Sequence, residues 1–419
     1  LIPDEPIGED FLYLNVWTKA ETESDLLPVL ISIYGGGFRS GGSGCAFYDG
    51  GAMAGKGVVF VSINYRVGVF GFLAHPELSA ESGYGSSGNY AILDMVAALE
   101  WVQKNIERFG GDPGNVTIAG QSAGSFAVNY LTVSPLARGL FHRAIAQSGA
   151  GFLSSPLRPP VSLKEAEESG LAFGEALGAG SIADLRSLPA DAILNAPGGM
   201  SAPFTDGYVL PLSVMDAYKK GQQNDVPVIT GWNKDDRLMG AARKADRFRE
   251  QIQDRFGDLA DECLAVYPAG TDEEAARSQY AMSRDESFGI QAYTWAKVQS
   301  AAGGSPVFLY NFNRELPAHT VETQFGAFHS GEIVYAYDNL HTLDRPWEPV
   351  DQKIASQMSS YWVNFARTGN PNGPGLPGWE AYTARSEQAL LFDTITVQQA
   401  VPSLEQLEFW EKFTLMKRN

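Results

Sequence analysis

Cysteine is scarce in this chain: Cys45 and Cys263 are the only two among 419 residues. That excludes a disulfide-dense scaffold and a thiolate zinc site, and leaves open whether the two are bridged. Long apolar runs are also missing. None approaches the roughly 18 residues of a bilayer-crossing helix, so no membrane span is expected. Positive charge is in short supply, with 31 Lys and Arg against 49 Asp and Glu and a net charge of −18. Phosphate backbones are gripped by Lys and Arg, so nucleic acid is not an expected partner. There is no internal repeat and no low-complexity tract. The first residue is Leu rather than Met, as if upstream residues had been removed, and the cellular compartment stays open.

What is present is a composition fit for a large core, 44% hydrophobic with 45 Gly and 23 Pro. The stretches 12–17, 28–36, 58–66, 115–120 and 143–149 read as strands alternating with helical segments. That alternation predicts an α/β fold with a mostly parallel central sheet flanked by helices. A helix is expected over 89–111, with Ile92, Val96, Leu99, Val102, Ile106 and Phe109 on its apolar stripe. Strand patterns return at 225–231 and 305–312, and a second long helix is expected over 351–369. Between them, 153–205 breaks into short helical patches separated by Pro, Gly and Ser, as a lid or cap would. Because the pattern then returns to strands, the expectation is one domain over 1–419 carrying that insertion.

Residues 118–124, "IAGQSAG", place Ser122 at a strand-to-helix junction with no room for an ordinary turn. Such a turn strains the central residue and lifts its side chain clear, while Gly120 and Gly124 remove atoms that would collide. A serine hydroxyl needs a neighbouring base before it can attack, and histidine is the usual one. The chain has five. His75 precedes Ser122, against the order nucleophile, acid, histidine. His142 opens a strand, at the edge of a parallel sheet opposite the serine. His319 and His341 lie in polar loops. His329, in "FGAFHSGEIVYAY", follows strand 305–312 by a loop and is the candidate base. For the carboxylate that orients a histidine, Asp235 and Asp236 follow strand 225–231, and spacing does not choose between them. Asp206 reads as a turn residue. The glycines of "IYGGGFRSGGSG" (33–44) follow a strand and lack the Lys-Ser/Thr ending of a phosphate loop, so they read as oxyanion donors. Asn115-Val116-Thr117 has the form of a glycosylation sequon but leads straight into a strand, and is read as structural.

These segments resemble the type B carboxylesterase/cholinesterase family of α/β-hydrolases, in its bacterial form. The resemblance runs nearly the whole chain, through "GEDFLYLNVW", "IYGGGF", "INYRVGVFGFL", "ERFGGDPGNVTIAGQSAGS", "GWNKDD", "GAFHSGEIVYAY" and "YWVNFARTGNPNG". It implies a serine carboxylic-ester hydrolase with Ser122 as nucleophile, His329 as base and Asp236 as triad acid. It implies an oxyanion hole from Gly36, Gly37 and Ala123, and a hydrogen bond from Ser148 to the acid. A small-molecule ester is the implied partner, with no cofactor or metal.

Several positions depart from the family pattern. The acid is usually Glu followed by Gly, but here Asp236 is followed by Arg237, so a shorter side chain must approach His329 more closely. Gln121 stands where Glu usually precedes the nucleophile. Phe11 replaces a disulfide cysteine of animal members. The family's chains begin well upstream of "GEDFLYLNVW". Phe38 and Phe288 are candidate walls of an acyl pocket. Arg39 and Arg237, with Gln121 in place of an acid, suggest tolerance of esters that carry a carboxylate. Two other functions fit much of this pattern. A non-catalytic binding protein of the family would lack the Ser or the His, and both are present. Acyl transfer to an alcohol is not separated from hydrolysis by sequence, and neither is oligomeric state.

Overall fold

The computed structural model describes residues 7–155, 159–238, 240–302 and 304–416. Nine strands form a single sheet: β1 Leu14–Trp17, β2 Leu27–Ile33, β3 Val59–Ile63, β4 Gly111–Gln121, β5 Arg143–Gln147, β6 Val228–Asn233, β7 Val307–Phe312, β8 Gln388–Phe392 and β9 Val397–Ala400. Their order is β1-β3-β2-β4-β5-β6-β7-β8-β9. Only the outermost pairs, β1 with β3 and β8 with β9, are antiparallel. Every neighbouring pair between them is parallel. Strands β3, β6 and β7 are buried at every position, so helices cover both of their faces. This is why their sequences read as continuous apolar runs rather than as alternation.

Seven helices frame the sheet and the site: α1 Tyr90–Asn105, α2 Ala123–Val133, α3 Leu163–Ala176, α4 Asp272–Arg284, α5 Ile290–Ala302, α6 Pro349–Thr368 and α7 Leu404–Met416. Helix α2 packs on β4 and β5, α5 on β6 and β7, and α6 on β2 and β4. The stripe expected over 89–111 is buried from Ile92 to Ile106, but the α-helix ends at Asn105 and a 3₁₀ turn over Ile106–Phe109 finishes it. Helix α6 ends where Gly369 turns left-handed, at φ 79°.

Strands β8 and β9 are absent from the sequence reading. Outer strand β9 is largely exposed, and its "VQQA" carries no alternation to detect. Strand β4 begins earlier than 115 because Leu27 pairs with Gly111 and the register then shifts to Val29 with Val116.

The segment 159–206 contributes to two small apolar clusters apart from the main core, one of Ala74, Ala166 and Phe204, the other of Ala179, Ile182 and Leu185. It is tied to the segment before α1. Asn89 exchanges hydrogen bonds with Phe204 at 2.8 and 3.2 Å, and the Ser86 hydroxyl donates to Asp206 at 3.2 Å. Cys45 and Cys263 are both buried and form no disulfide.

Candidate active site

The loops at the C-terminal ends of β2, β4, β6 and β7 converge on one point, the edge of a parallel sheet where ligands bind. Strand β4 ends at Gln121, and helix α2 begins at Ala123, leaving Ser122 alone in the bend at φ 56°, ψ −122°. Such a conformation costs an L-residue on the order of 1–3 kcal/mol. The neighbours that permit it have no side chains. A Cβ on Gly120 would stand 2.4 Å from the Gly124 carbonyl carbon, and one on Gly124 would stand 2.0 Å from the Ile33 oxygen.

The Ser122 Oγ lies 2.8 Å from Nε2 of His329. The other ring nitrogen, Nδ1, is in a short hydrogen bond with Oδ1 of Asp236. Asp236 is wholly buried, and its Oδ2 accepts from the Asn233 N–H at 3.1 Å. Its neighbour Asp235 has a different task. The Ala327 N–H donates to its carboxylate at 2.8 Å and its own N–H donates to the Ala327 carbonyl at 3.1 Å. The loop after β6 is thereby fastened to the loop carrying His329, which is how the shorter aspartate reaches the imidazole. Burial opposes protonation of His329, but the adjacent Asp236 charge and hydrogen bond, with Glu332 adding, hold its pKa above the ordinary value.

Glu332 and Asn233 are part of this cluster, and the sequence reading missed both. Glu332 is fully buried and accepts from Asn233 Nδ2 at 2.6 Å and from Gln147 Nε2 at 3.4 Å. Asn233 Nδ2 also donates to the Phe328 carbonyl at 2.8 Å. Burial, and then the Asp236 charge, push the Glu332 carboxyl up to about 7. A carboxylate three residues beyond the candidate base, in "HSGE", was the signal available.

The glycine loop follows β2. Gly36 sits at φ 119°, which only glycine adopts readily, and its carbonyl accepts from Arg39 N at 3.0 Å and Ser40 N at 3.2 Å. Among the described residues the N–H groups of Gly36, Gly37 and Ala123 donate to no protein acceptor. Ala123 opens α2, so the positive end of that helix adds to its N–H.

Other expected residues take different places. Ser148 does not hydrogen-bond Asp236: its Oγ is buried without a partner among the described residues, since Asp236 is served from its own loop instead. Phe38 is no open pocket wall, because its ring is wholly buried, 5.4 Å from that of Phe72. Phe288 is also buried and lies flat on the His329 ring, centroids 4.6 Å apart and planes 17° apart. Gln121 is buried, its amide nitrogen 3.4–3.5 Å from the two His329 ring nitrogens and its oxygen accepting from Ser330 Oγ at 3.1 Å. Arg39 is exposed and donates from Nε to Ser201 Oγ at 2.9 Å, across the gap to the 159–206 segment. Arg237 lies 3.9 Å over the Tyr280 ring.

Of the remaining histidines, His341 is exposed on a 3₁₀ turn over Leu340–Thr342, and the other three have partners elsewhere. His75 caps a helix at Glu77 N, His142 accepts from Val116 N, and His319 faces Asp344. Asp206 holds a turn by accepting from Tyr208 N and Leu210 N. Asn115 accepts from Arg143, as a structural asparagine should.

A strained serine between a parallel strand and a helix, with a histidine and a carboxylate behind it, defines an α/β-hydrolase. The chain belongs to the carboxylesterase family, whose model matches residues 3–410, and is a serine ester hydrolase. It is similar to fumonisin B1 esterase of Sphingopyxis macrogoltabida, 38% identical over 91% of this chain and 72% of that protein. It is also similar to para-nitrobenzyl esterase of Bacillus subtilis, at 32% identity over 93% of this chain and 81% of that one. Among solved structures, the Geobacillus stearothermophilus carboxylesterase superposes with a TM-score of 0.81 at 33% identity, covering 98% of this chain and 88% of that one. No helix among the described residues is long and apolar enough to cross a membrane.

Proposed function

We propose that this carboxylesterase cleaves small-molecule esters through an acyl-enzyme on Ser122. His329 takes the hydroxyl proton as Oγ attacks the ester carbonyl, and Asp236 steadies the imidazolium that results. The developing oxyanion is held by the N–H groups of Gly36, Gly37 and Ala123. His329 then gives its proton to the leaving alcohol oxygen. A water, deprotonated by the same imidazole, attacks the acyl carbonyl and releases the carboxylic acid with Ser122 restored. We take the chain as one catalytic domain, with 153–205 as its cap.

The observation that carries this reading is the unbroken chain from Ser122 Oγ through His329 to buried Asp236, with three unengaged N–H groups beside it. A fluorophosphonate probe with peptide mapping tests it. One adduct is expected on Ser122, with loss of labelling and of nearly all turnover in Ser122→Ala, because triad members act as a unit. Labelling elsewhere, or turnover surviving in Ser122→Ala, would remove Ser122 from the mechanism.

A further inference from the structure

Behind the site lies an ion pair with no part in the chemistry above, its carboxylate buried and its guanidinium partly so. Helix α4 ends at Arg284. A single π-helical turn over Asp285–Gly289 follows, and α5 starts at Ile290. Such turns displace the side chains they carry from the helical register and recur at functional sites. This one carries Phe288, the ring stacked on His329.

Asp285 is fully buried and accepts from Arg284 Nε at 2.7 Å, from Arg284 Nη2 at 3.0 Å and from the Tyr267 hydroxyl at 2.9 Å. Trp410 of α7 donates in turn to the Tyr267 oxygen at 2.9 Å. The Arg284 guanidinium reaches two more segments. Nη2 donates to Ser403 Oγ, just before α7, at 2.8 Å, and Nη1 donates to the Lys234 carbonyl at 3.2 Å. Lys234 lies two residues before Asp236. One planar cation thus joins the loop that bears the triad acid, the turn that bears the ring on the triad base, and the C-terminal helix. Asp235 grips the acid loop from the histidine side, and Arg284 grips it from the other.

We propose that Arg284 is a positioning residue for ester hydrolysis, holding Asp236 and Phe288 in register with His329 through the Lys234 carbonyl and the Asp285 turn. The proposal rests on the Ser122–His329–Asp236 reading. A guanidinium suits the task because its planar fork donates in several fixed directions at once, and an ammonium does not reproduce that fork. The titratable groups that face the His329 ring are Asp236 and Glu332.

The test is Arg284→Lys, which keeps the charge opposite Asp285. Activity is measured on p-nitrophenyl acetate and normalised to sites titrated with fluorophosphonate. The expected result is a kcat per titrated site about tenfold lower, with KM changed by less than about twofold. The acid limb of kcat should also move to lower pH, because a loosened Asp236 raises the histidine less. A lower melting temperature with kcat per site and acid limb unchanged would overturn the proposal and leave Arg284 a structural ion pair. Tyr267→Phe takes only one hydrogen bond from Asp285 and carries the test if Arg284→Lys does not fold. Its acid limb should move the same way by a smaller amount, and an unmoved limb in that variant would also overturn the proposal. Wild-type protein that fails to label at Ser122 would instead defeat the triad reading on which this one stands.

Discussion

At the scale of single residues, the group with most to say about pH is Glu332. Its folded pKa is raised to about 7, chiefly by burial and then by Asp236. A raised carboxyl costs the native state nothing while both states are protonated. The cost grows as pH climbs past the unfolded value near 4.5, and it is complete above about 7. The full penalty is about 3 kcal/mol at roughly 1.4 kcal/mol per unit of pKa. Glu332→Gln keeps an oxygen to accept from Asn233 and cannot ionise. Urea unfolding at pH 5 and pH 8 should therefore show the variant gaining stability on wild type as pH rises. Equal pH dependence in the two proteins would mean the carboxyl is not buried as described. His329, also raised, loses stabilising protonation in the same direction, and the substitution lessens that loss, so both effects favour the variant as pH rises. The substitution also removes one of two negative charges that raise His329, so the acid limb of kcat should fall to lower pH.

Among the elements, the bend between β4 and α2 has least room to change. Its glycines allow two backbones to meet, and a methyl on Gly124 would overlap the Ile33 carbonyl of β2. Alanine is the better helix former by about 1 kcal/mol, which is the gain expected at an unconstrained position. Here the collision is with main chain at the centre of the sheet, where nothing can step aside. Gly124→Ala should lose more than about 3 kcal/mol in chemical denaturation, near the upper end for overpacking. A stability equal to wild type would show that β2 can move away from β4 at this point. The bend was legible because glycine, serine and glycine stand at one spacing where a strand pattern stops and a helix pattern starts. The π turn at 285–289 was not, since "DESFG" has no periodicity that separates an extra residue from ordinary helix. Nor was the fastening of Asp235 to Ala327, which links residues 92 apart in the chain.

Over the whole molecule, a net charge of −18 sets a field that repels anions, against which exposed Arg39 is a local exception beside the glycine loop. If Arg39 receives a substrate carboxylate, Arg39→Ala should raise KM several-fold for a hemisuccinate ester and leave a neutral ester of equal size unaltered. Added salt should raise wild-type kcat/KM for the anionic ester as it screens the general repulsion. Equal KM changes for both esters would remove Arg39 from substrate selection. The sequence alone determined the α/β class and the place of Ser122 in its bend, and it singled out His329 as the candidate base, because periodicity, glycine spacing and the scarcity of histidine are local properties. It left Asp235 and Asp236 level until family resemblance favoured the second. Tertiary structure set Asp236 against His329 and Asp235 against Ala327, put Phe288 on the imidazole rather than in a pocket, and left Ser148 out of the hydrogen bonds to Asp236. It also drew Glu332, Asn233 and Arg284 toward the site. Those outcomes depend on which loops the parallel sheet delivers to one edge, and a buried side chain's partners there come from strands distant in sequence.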